Sequence, residues 1–310
     1  MYRKIVQMID ALPRLATLDR RIDEAKINQG RILSELHRDK AFSRLSDYEF
    51  KVFSQWGEDG IIQFLVSNLK IGNKTFIEFG VETFFESNCR YLMMKDNWRG
   101  FVIDGSSRNL ARLQRSYFFH LYDLRSRVAF ITRDNIRALL DESEFDKDVG
   151  ILSVDIDGVD YYVLGQLDQW RPCILIVEYN ALFGKERAVS VPYAPDFVRS
   201  RQHHSNLYYG ASLAAFDCLA KNRGYALVGV NGAGSNAFFV RRDLLNDKVR
   251  EVPLAQEFQD SKFRESRDVR GNLTFVGGDE RTDLIHDMLL IDVISGERLK
   301  VGDLYGRPAK

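Results

Sequence analysis

Cysteine is scarce in this chain: three in 310 residues, at Cys89, Cys173 and Cys218, with no CxxC pair. That pattern excludes a disulfide framework and a cysteine-ligated zinc site, and it points to reduced thiols in a cytoplasmic protein. Net charge is lacking too. The 44 basic residues balance 44 acidic ones, so no overall field draws the chain to nucleic acid or to an anionic membrane. No apolar run approaches the ~20 residues needed to cross a bilayer. The opening stretch MYRKIVQMIDALPRLATLDRR is too charged for a signal peptide. There is no internal repeat, no low-complexity tract and no GxGxxG phosphate fingerprint.

What is present falls into three parts: an N-terminal extension over 1–45, a main domain over 46–243, and a C-terminal cover over 244–310. In the extension, Pro13 suits a first helical turn with Asp10 as its cap. Leu15, Leu18, Ile22, Ala25, Ile32 or Leu33, and Leu36 then recur at intervals of three and four, interrupted at Gln29 and Gly30. This is a helical stripe. It serves either to pair with another chain as a short coiled coil, giving a homo-oligomer, or to lie on its own domain.

From Thr75 the pattern changes to short β-branched and aromatic runs separated by helical stretches. The runs are TFIEFG, GFVIDG, RVAFIT (Arg127 to Thr132), GILSVDID and PCILIVEYN. Alternation of this kind predicts parallel strands with right-handed crossovers. YALVGVN and NAFFVRR, joined by GAGS, read as a hairpin. The expected fold is α/β and Rossmann-like: a mostly parallel seven-stranded sheet with a C-terminal antiparallel hairpin and helices on both faces. Beyond Leu244 the runs LTFVGG and MLLIDVISGE read as parts of a cover.

Ligands of such sheets bind beyond the carboxyl ends of the strands. Four of the five parallel runs end there in acid: Glu78, Asp104, Asp155 with Asp157, and Glu178. So many carboxylates on one edge repel unless a cation or a hydrogen-bonding ligand sits among them. Gly80 in the first turn lets a ligand approach the backbone, and Glu78 with Glu82 suits a cationic, hydroxyl-rich ligand. S-adenosylmethionine, with its ammonium, sulfonium and ribose diol, is such a ligand. Asp104 stands where an acid accepts ribose hydroxyls in nucleoside-binding folds. Ser106 and Ser107 follow, as further cofactor contacts or as helix caps. Asp134 or Asn135 is placed to meet the adenine amino group. In FSQWGEDG, Gln55 and Glu58 are candidates to close over the ligand, with Ser54 or Asp59 as the helix cap.

The segment VDIDGVDYY brings Asp155, Asp157 and Asp160 near Glu178 and Asn180. Either Asp157 and Glu178 hold a hard cation such as Mg²⁺, or an aspartate accepts a proton directly. Asn180 and Tyr209 are candidate substrate contacts. His203 and His204 lie on a loop after the fifth strand, where His204 would serve as a general base. Arg264, Arg267 and Arg270 either meet a phosphate-bearing carrier or form surface ion pairs.

SQWGEDG, FIEFGVETFFESN, GFVIDGS, LSVDIDGVDYY, VEYNALFG, YYGASLAAF and NAFFV, in this order over about Phe53 to Val240, resemble the FkbM-like methyltransferases. The resemblance implies the class I methyltransferase fold and cofactor binding by the Gln55 region, Glu78, Gly80, Asp104 and Ser106. VDIDG and VEYN are also similar to the metal-binding elements of macrocin-type sugar O-methyltransferases, with Asp157 and Glu178 in the metal positions. Those enzymes have paired aspartates where this chain has Glu178-Tyr179. The implied activity is methyl transfer to a sugar or glycan hydroxyl, as in surface polysaccharide synthesis, with no nucleic-acid partner. The alternative is a metal-dependent glycosyltransferase that uses Asp155 and Asp157 as a DxD pair.

Overall fold

A computed structural model describes residues 17–41 and 43–305. The expected helix start at Pro13, its cap Asp10 and Leu15 lie outside the described residues.

Seven strands form the central sheet: β1 (Thr75–Phe79), β2 (Arg99–Asp104), β3 (Leu124–Val128), β4 (Ile151–Val154), β5 (Ile174–Glu178), β7 (Tyr225–Val230) and β8 (Asn236–Arg241). Their order is β3-β2-β1-β4-β5-β8-β7. β1 to β5 run parallel, and β8 is antiparallel to both of its neighbours. This is the Rossmann-like sheet of the class I methyltransferase fold, hairpin included.

The parallel strands are apolar on both faces because helices cover both. In β1, Phe76 faces one core while Ile77 and Phe79 face the other. The first core takes apolar residues from α1 (Leu18–Arg38), α2 (Glu58–Asn68), α3 (Arg90–Asp96) and α4 (Ser107–Gln114). The second takes them from α5 (Ile136–Asp141), α6 (Asp160–Gly165) and α8 (Leu213–Asn222). The short α7 (Arg199–Gln202) precedes α8 at the carboxyl edge of the sheet.

One strand departs from expectation. RVAFIT was expected as a strand over 127–132, but β3 spans Leu124–Val128, in register from Gly100↔Leu124 to Asp104↔Val128. β3 is an edge strand, so it tolerates Arg125, Ser126 and Arg127 where a central strand would not. The apolar residues that follow leave the sheet: Ala129, Phe130 and Ile131 line the cavity described below.

The C-terminal stretch contributes α9 (Leu254–Glu257), α10 (Asp279–Leu284), β9 (Leu289–Asp292) and β10 (Arg298–Lys300). β9 pairs with β10 and with β6 (Val189–Ser190) in a small antiparallel sheet. Ile285, Leu290, Leu299 and Val301 join the second core. MLLIDVISGE supplies β9, whereas LTFVGG forms only an isolated bridge between Arg267 and Leu273.

α1 runs unbroken through Gln29 and Gly30. Gly30 is a contact point, not an interruption: a Cβ there would lie 2.6 Å from the Tyr91 hydroxyl and 2.7 Å from Val52. The buried side of α1 is Asp23, Ile27 and Gly30. Asp23 pairs with Arg90, both buried, and the Tyr117 hydroxyl donates to Asp23 at 2.7 Å. The Arg90 guanidinium lies 4.0 Å from the Phe53 ring centre and 4.2 Å from that of Phe118.

Removing one member of a buried pair strands the other's charge, at about 3–5 kcal/mol. Asp23→Ala should therefore destabilise the protein by that amount in denaturant unfolding. Asp23→Ala with Arg90→Met should recover part of the loss; a single-variant loss below about 1 kcal/mol would show the pair to be effectively solvated.

Candidate active site

The carboxyl ends of β1 and β4 part company at the switch point of the sheet, where strand order reverses. Loops leave them in opposite directions, and a crevice opens there. In this chain it is a cavity of about 530 Å³, within the roughly 300–1,000 Å³ of small-ligand sites.

Glu78 is the last residue but one of β1 and is buried. Its carboxylate accepts from the Ser87 hydroxyl (2.8 Å), Asn88 N (2.8 Å) and Cys89 N (3.1 Å). Burial pushes its pKa up, and these donors pull back. Asp104 ends β2 and accepts from Ser106 N at 2.7 Å and Glu82 N at 2.8 Å. Burial raises its pKa as well. Each Asp104 oxygen carries one backbone bond and keeps a lone pair for another donor.

Gly80 lines the cavity, but its first constraint is internal. It sits at φ 70°, and a Cβ there would lie 1.6 Å from the Asp155 carbonyl oxygen. The glycine therefore lets the backbones after β1 and β4 pass each other, as well as leaving room beside a ligand.

Beyond β4, Asp160 at the start of α6 accepts from Ile156 N (2.8 Å) and Gly158 N (2.9 Å). Burial lifts its pKa to about 6. Its grip bends the loop and holds Asp157 at φ 56°, a strained conformation for a non-glycine residue. Oxygens of Asp155, Asp157 and Glu178 come within 4.8 Å of one another. Asp155 and Glu178 are both driven well above the carboxylate range, first by burial and then by neighbouring acids. The two carboxyls therefore hold protons more tightly than free ones and titrate as a pair.

One arginine answers these acids. Arg199 in α7 pairs with Asp157, donates from Nε to the Asn206 carbonyl at 2.6 Å, and lies 3.9 Å from the Tyr209 ring centre. Its Nη2 is buried without a hydrogen-bond partner. The lining also includes Glu82, Glu86 and Glu265. With Glu78, Asp104, Asp155, Asp157 and Glu178 that makes eight acids, against Arg199 as the single basic residue of the lining among the described residues.

The remaining candidates divide. Gln55 lines the cavity. Ser106 stands just outside the lining and caps α4, accepting from Asn109 N at 3.2 Å. Asn180 is a buried brace: it accepts from Leu182 N and donates to the Leu207 and Tyr209 carbonyls, all at 3.0 Å. Both of its amide hydrogens are used, and it is buried outside the cavity lining. Tyr209 is placed by that brace, its hydroxyl 3.5 Å from Glu178 Oε1. Asp134 is exposed and outside the lining, because the chain turns away one step after Ile131. His204 is also exposed and outside it, its ring tilted against that of His203 at 4.2 Å between centres. His203 binds the Ser205 hydroxyl at 2.7 Å. Asp59 grips the loop before α2, accepting from Val52, Phe53 and Ser54 N and the Ser54 hydroxyl at 2.7–2.8 Å. Glu58 bonds Asn231 and Asn236 of the β7–β8 turn at 2.7 and 2.9 Å. Arg264, Arg267 and Arg270 do not line the cavity; Arg267 pairs with Glu265 at 3.1 Å.

Sequence reasoning missed Arg199, Phe130 and the C-terminal residues Phe263 and Glu265. Phe263 comes nearly parallel to Trp56, at 20° and 6.2 Å between ring centres, and both line the cavity. The segment carrying it is pinned by Lys262 N to the Ala233 carbonyl and by the Tyr179 hydroxyl to the Gln259 carbonyl, both at 2.8 Å. No local signal marks these long-range placements.

No protein-family model matches the chain, and no curated protein does. Among solved structures it is similar to the pyocyanin biosynthetic protein PhzM, at 11% identity over 57% of this chain and 53% of that one, TM-score 0.35. It is similar to the CurJ carbon methyltransferase at 9% identity over 67% and 57%, TM-score 0.39. It is similar to an O-methyltransferase from Bacillus cereus, in complex with SAH, at 11% identity over 69% and 89%, TM-score 0.39. The chain spans little more than half the length of the first two.

Raised carboxyl pKa values fix a sign. Where native carboxyls hold protons that unfolded ones have lost, stability falls as pH rises. That window opens near pH 4, the unfolded carboxyl range, and extends up to the raised native values of Asp155 and Glu178. Asp155→Asn removes the repulsion and keeps a hydrogen bond to Glu178. The variant should be about 1 kcal/mol more stable than wild type at pH 7.5, roughly 2–4 °C in Tm. The gain should vanish toward pH 4 in thermal melts across that range. An equal gain at both ends would mean that the pair does not repel.

Proposed function

We propose that the protein is an S-adenosylmethionine-dependent O-methyltransferase acting on a sugar or glycan hydroxyl. The observation that carries this reading is the switch-point cavity with eight acids and one arginine. Such a lining favours a cationic ligand bearing hydroxyl donors and opposes one bearing phosphates. For the same reason it disfavours a sugar-diphosphate glycosyltransferase, although Asp155 and Asp157 form a DxD pair.

In this reading Asp104 receives the ribose hydroxyls on its remaining lone pairs. Phe130 and Ile131, beside it in the lining, flank the adenine. Glu78, Gly80 and Gln55 border the amino-acid end. When bound, S-adenosylmethionine supplies an electrophilic methyl group. The acceptor hydroxyl is held between the Asp155–Glu178 pair and Arg199. An oxygen of the pair takes its proton as general base, its basicity raised by burial and by the neighbouring acids. Arg199 Nη2, lacking a partner, donates to the acceptor oxygen as its charge develops.

A sugar acceptor is supported at the rim. Trp56 and Phe263 offer flat apolar surfaces to the C–H face of a ring, while Gln55, Glu82, Glu86 and Glu265 accept from hydroxyls. Here 46–243 is the transferase domain, 1–45 an extension, and 244–310 a cover that contributes Phe263 and Glu265. The three free cysteines, two of them buried, support a reducing, cytoplasmic location. No helix among the described residues is long and apolar enough to cross a membrane.

Asp157 and Glu178, with Asp155, would hold a divalent cation if one binds, and it would acidify the acceptor hydroxyl. Arg199 on Asp157 competes for that place.

Thermal melts with S-adenosylhomocysteine at about 100 times its Kd should show a stabilisation of about 2.7 kcal/mol; UDP should give none. Asp104→Ala should weaken nucleoside binding at least about tenfold, or ~1.4 kcal/mol, by calorimetry. Label from S-adenosylmethionine should pass to cell-envelope glycan fractions, and adding a chelator decides the cation question. Stabilisation by UDP and not by the nucleoside would sink the methyltransferase reading.

A further inference from the structure

α1 carries two distinct faces on opposite sides, one docked on the domain and one an exposed apolar stripe. One, Asp23, Ile27 and Gly30, packs on the domain. The other is Leu18, Ile22, Ala25, Gln29, Ile32 and Leu36, spaced 4-3-4-3-4, all exposed. At 100° per residue its centre lies about 140° around the helix from the buried face. A surface helix should be polar there. Instead Leu18 is 45% exposed, Ile22 44%, Ile32 61% and Leu36 56%. The spacing is that of the core positions of a coiled coil, with Gln29 as a polar core residue of the kind that fixes register.

We propose that this face binds the same face of a second copy of the chain, with the two α1 helices antiparallel. The charges beside the seam choose both the occupant and the direction. Arg21 and Glu35 flank one side of the stripe; Asp19 and Lys26 flank the other. In a parallel pair, Arg21 would meet the second copy's Lys26, a like-charge contact. In an antiparallel pair centred between Ala25 and Gln29, Arg21 meets Glu35 of the other copy, twice by symmetry. The same register sets Leu18 against Leu36, Ile22 against Ile32, and small Ala25 against Gln29, so large residues meet large and the polar one meets the smallest. The only like-charge contact is Lys26 with itself. That side chain already leans toward its own domain, 5.7 Å from the Phe53 ring centre. The docked face of α1 points away from the seam, which directs the domain bodies toward the outer sides of the pair. The closed two-fold interface is self-complementary. It does not depend on the reaction proposed above.

Sedimentation equilibrium of the full chain over two decades of concentration tests the pairing. A reversible dimer is expected. Ile22→Glu with Ile32→Glu should make it monomeric; both positions are exposed, and unchanged circular dichroism and melting of the monomer would show that the fold is kept. Arg21→Glu should weaken dimerisation about tenfold, and Arg21→Glu with Glu35→Arg should restore it. A parallel pair would instead tighten with Arg21→Glu. A chain that stays monomeric overturns the proposal, as does a dimer indifferent to Ile22→Glu with Ile32→Glu. So does a monomer that co-sediments with phosphatidylglycerol vesicles through this face.

Discussion

The contact of Gly80 with the Asp155 backbone is the constraint on which the site depends. β1 and β4 are neighbours in the sheet, with Glu78 opposite Ser153, yet their loops must leave in different directions. They can do so only if one chain crosses the other at van der Waals distance. Any side chain at position 80 would stand inside the Asp155 carbonyl. The crossing draws Glu78 and Asp155 to the same rim, and Asp160 then turns the following loop so that Asp157 and Glu178 converge on it. The carboxylate cluster is thus a product of backbone geometry.

Such a cluster stores unfavourable electrostatics. Three devices limit it. Glu78 and Asp104 accept backbone N–H groups, Asp155 and Glu178 take up protons more readily than free carboxyls, and Arg199 pairs with Asp157. None of these brings the lining near neutrality, since a single arginine stands among eight acids. A site left in that state gains most from a ligand that brings positive charge and hydrogen-bond donors. This is the physical content of the proposal of a sulfonium cofactor and a polyhydroxyl acceptor. Stability and ligand binding are set against each other at the same oxygens.

Features written in local pattern were legible before the structure. Both faces of β1, β2, β4 and β5 are largely buried, so each appears as a mostly apolar run with an acid at or beside its carboxyl end. The hairpin shows as two runs joined by GAGS. β3 was misplaced because an edge strand obeys pairing register more than hydrophobicity, and the apolar run that drew attention belongs to the cavity wall. Asn180 looked like a substrate contact because it follows a strand end, but three buried backbone groups absorb its amide. Asp134 and His204 looked like site residues for their chemistry alone. Arg199, Phe263 and Glu265 could not be found locally, since each reaches the cavity from a loop placed by tertiary contacts.

α1 shows how a pattern can be right and its meaning incomplete. The stripe at intervals of three and four is the face that does not touch the domain; the docking face is a short polar-and-glycine row anchored by Asp23. That anchor reaches the site. Asp23 holds Arg90, which begins α3, and the residues just before it, Ser87 to Cys89, are the donors that satisfy Glu78. One turn of chain therefore carries both the buried ion pair that docks α1 and the hydrogen bonds that orient the β1 acid. A partner on the outer face of α1 would restrain the helix that Asp23 ties down, and through Arg90 it would stiffen the turn that holds Glu78. The proposed seam and the Glu78 side of the cavity are then mechanically adjacent, although they share no residue.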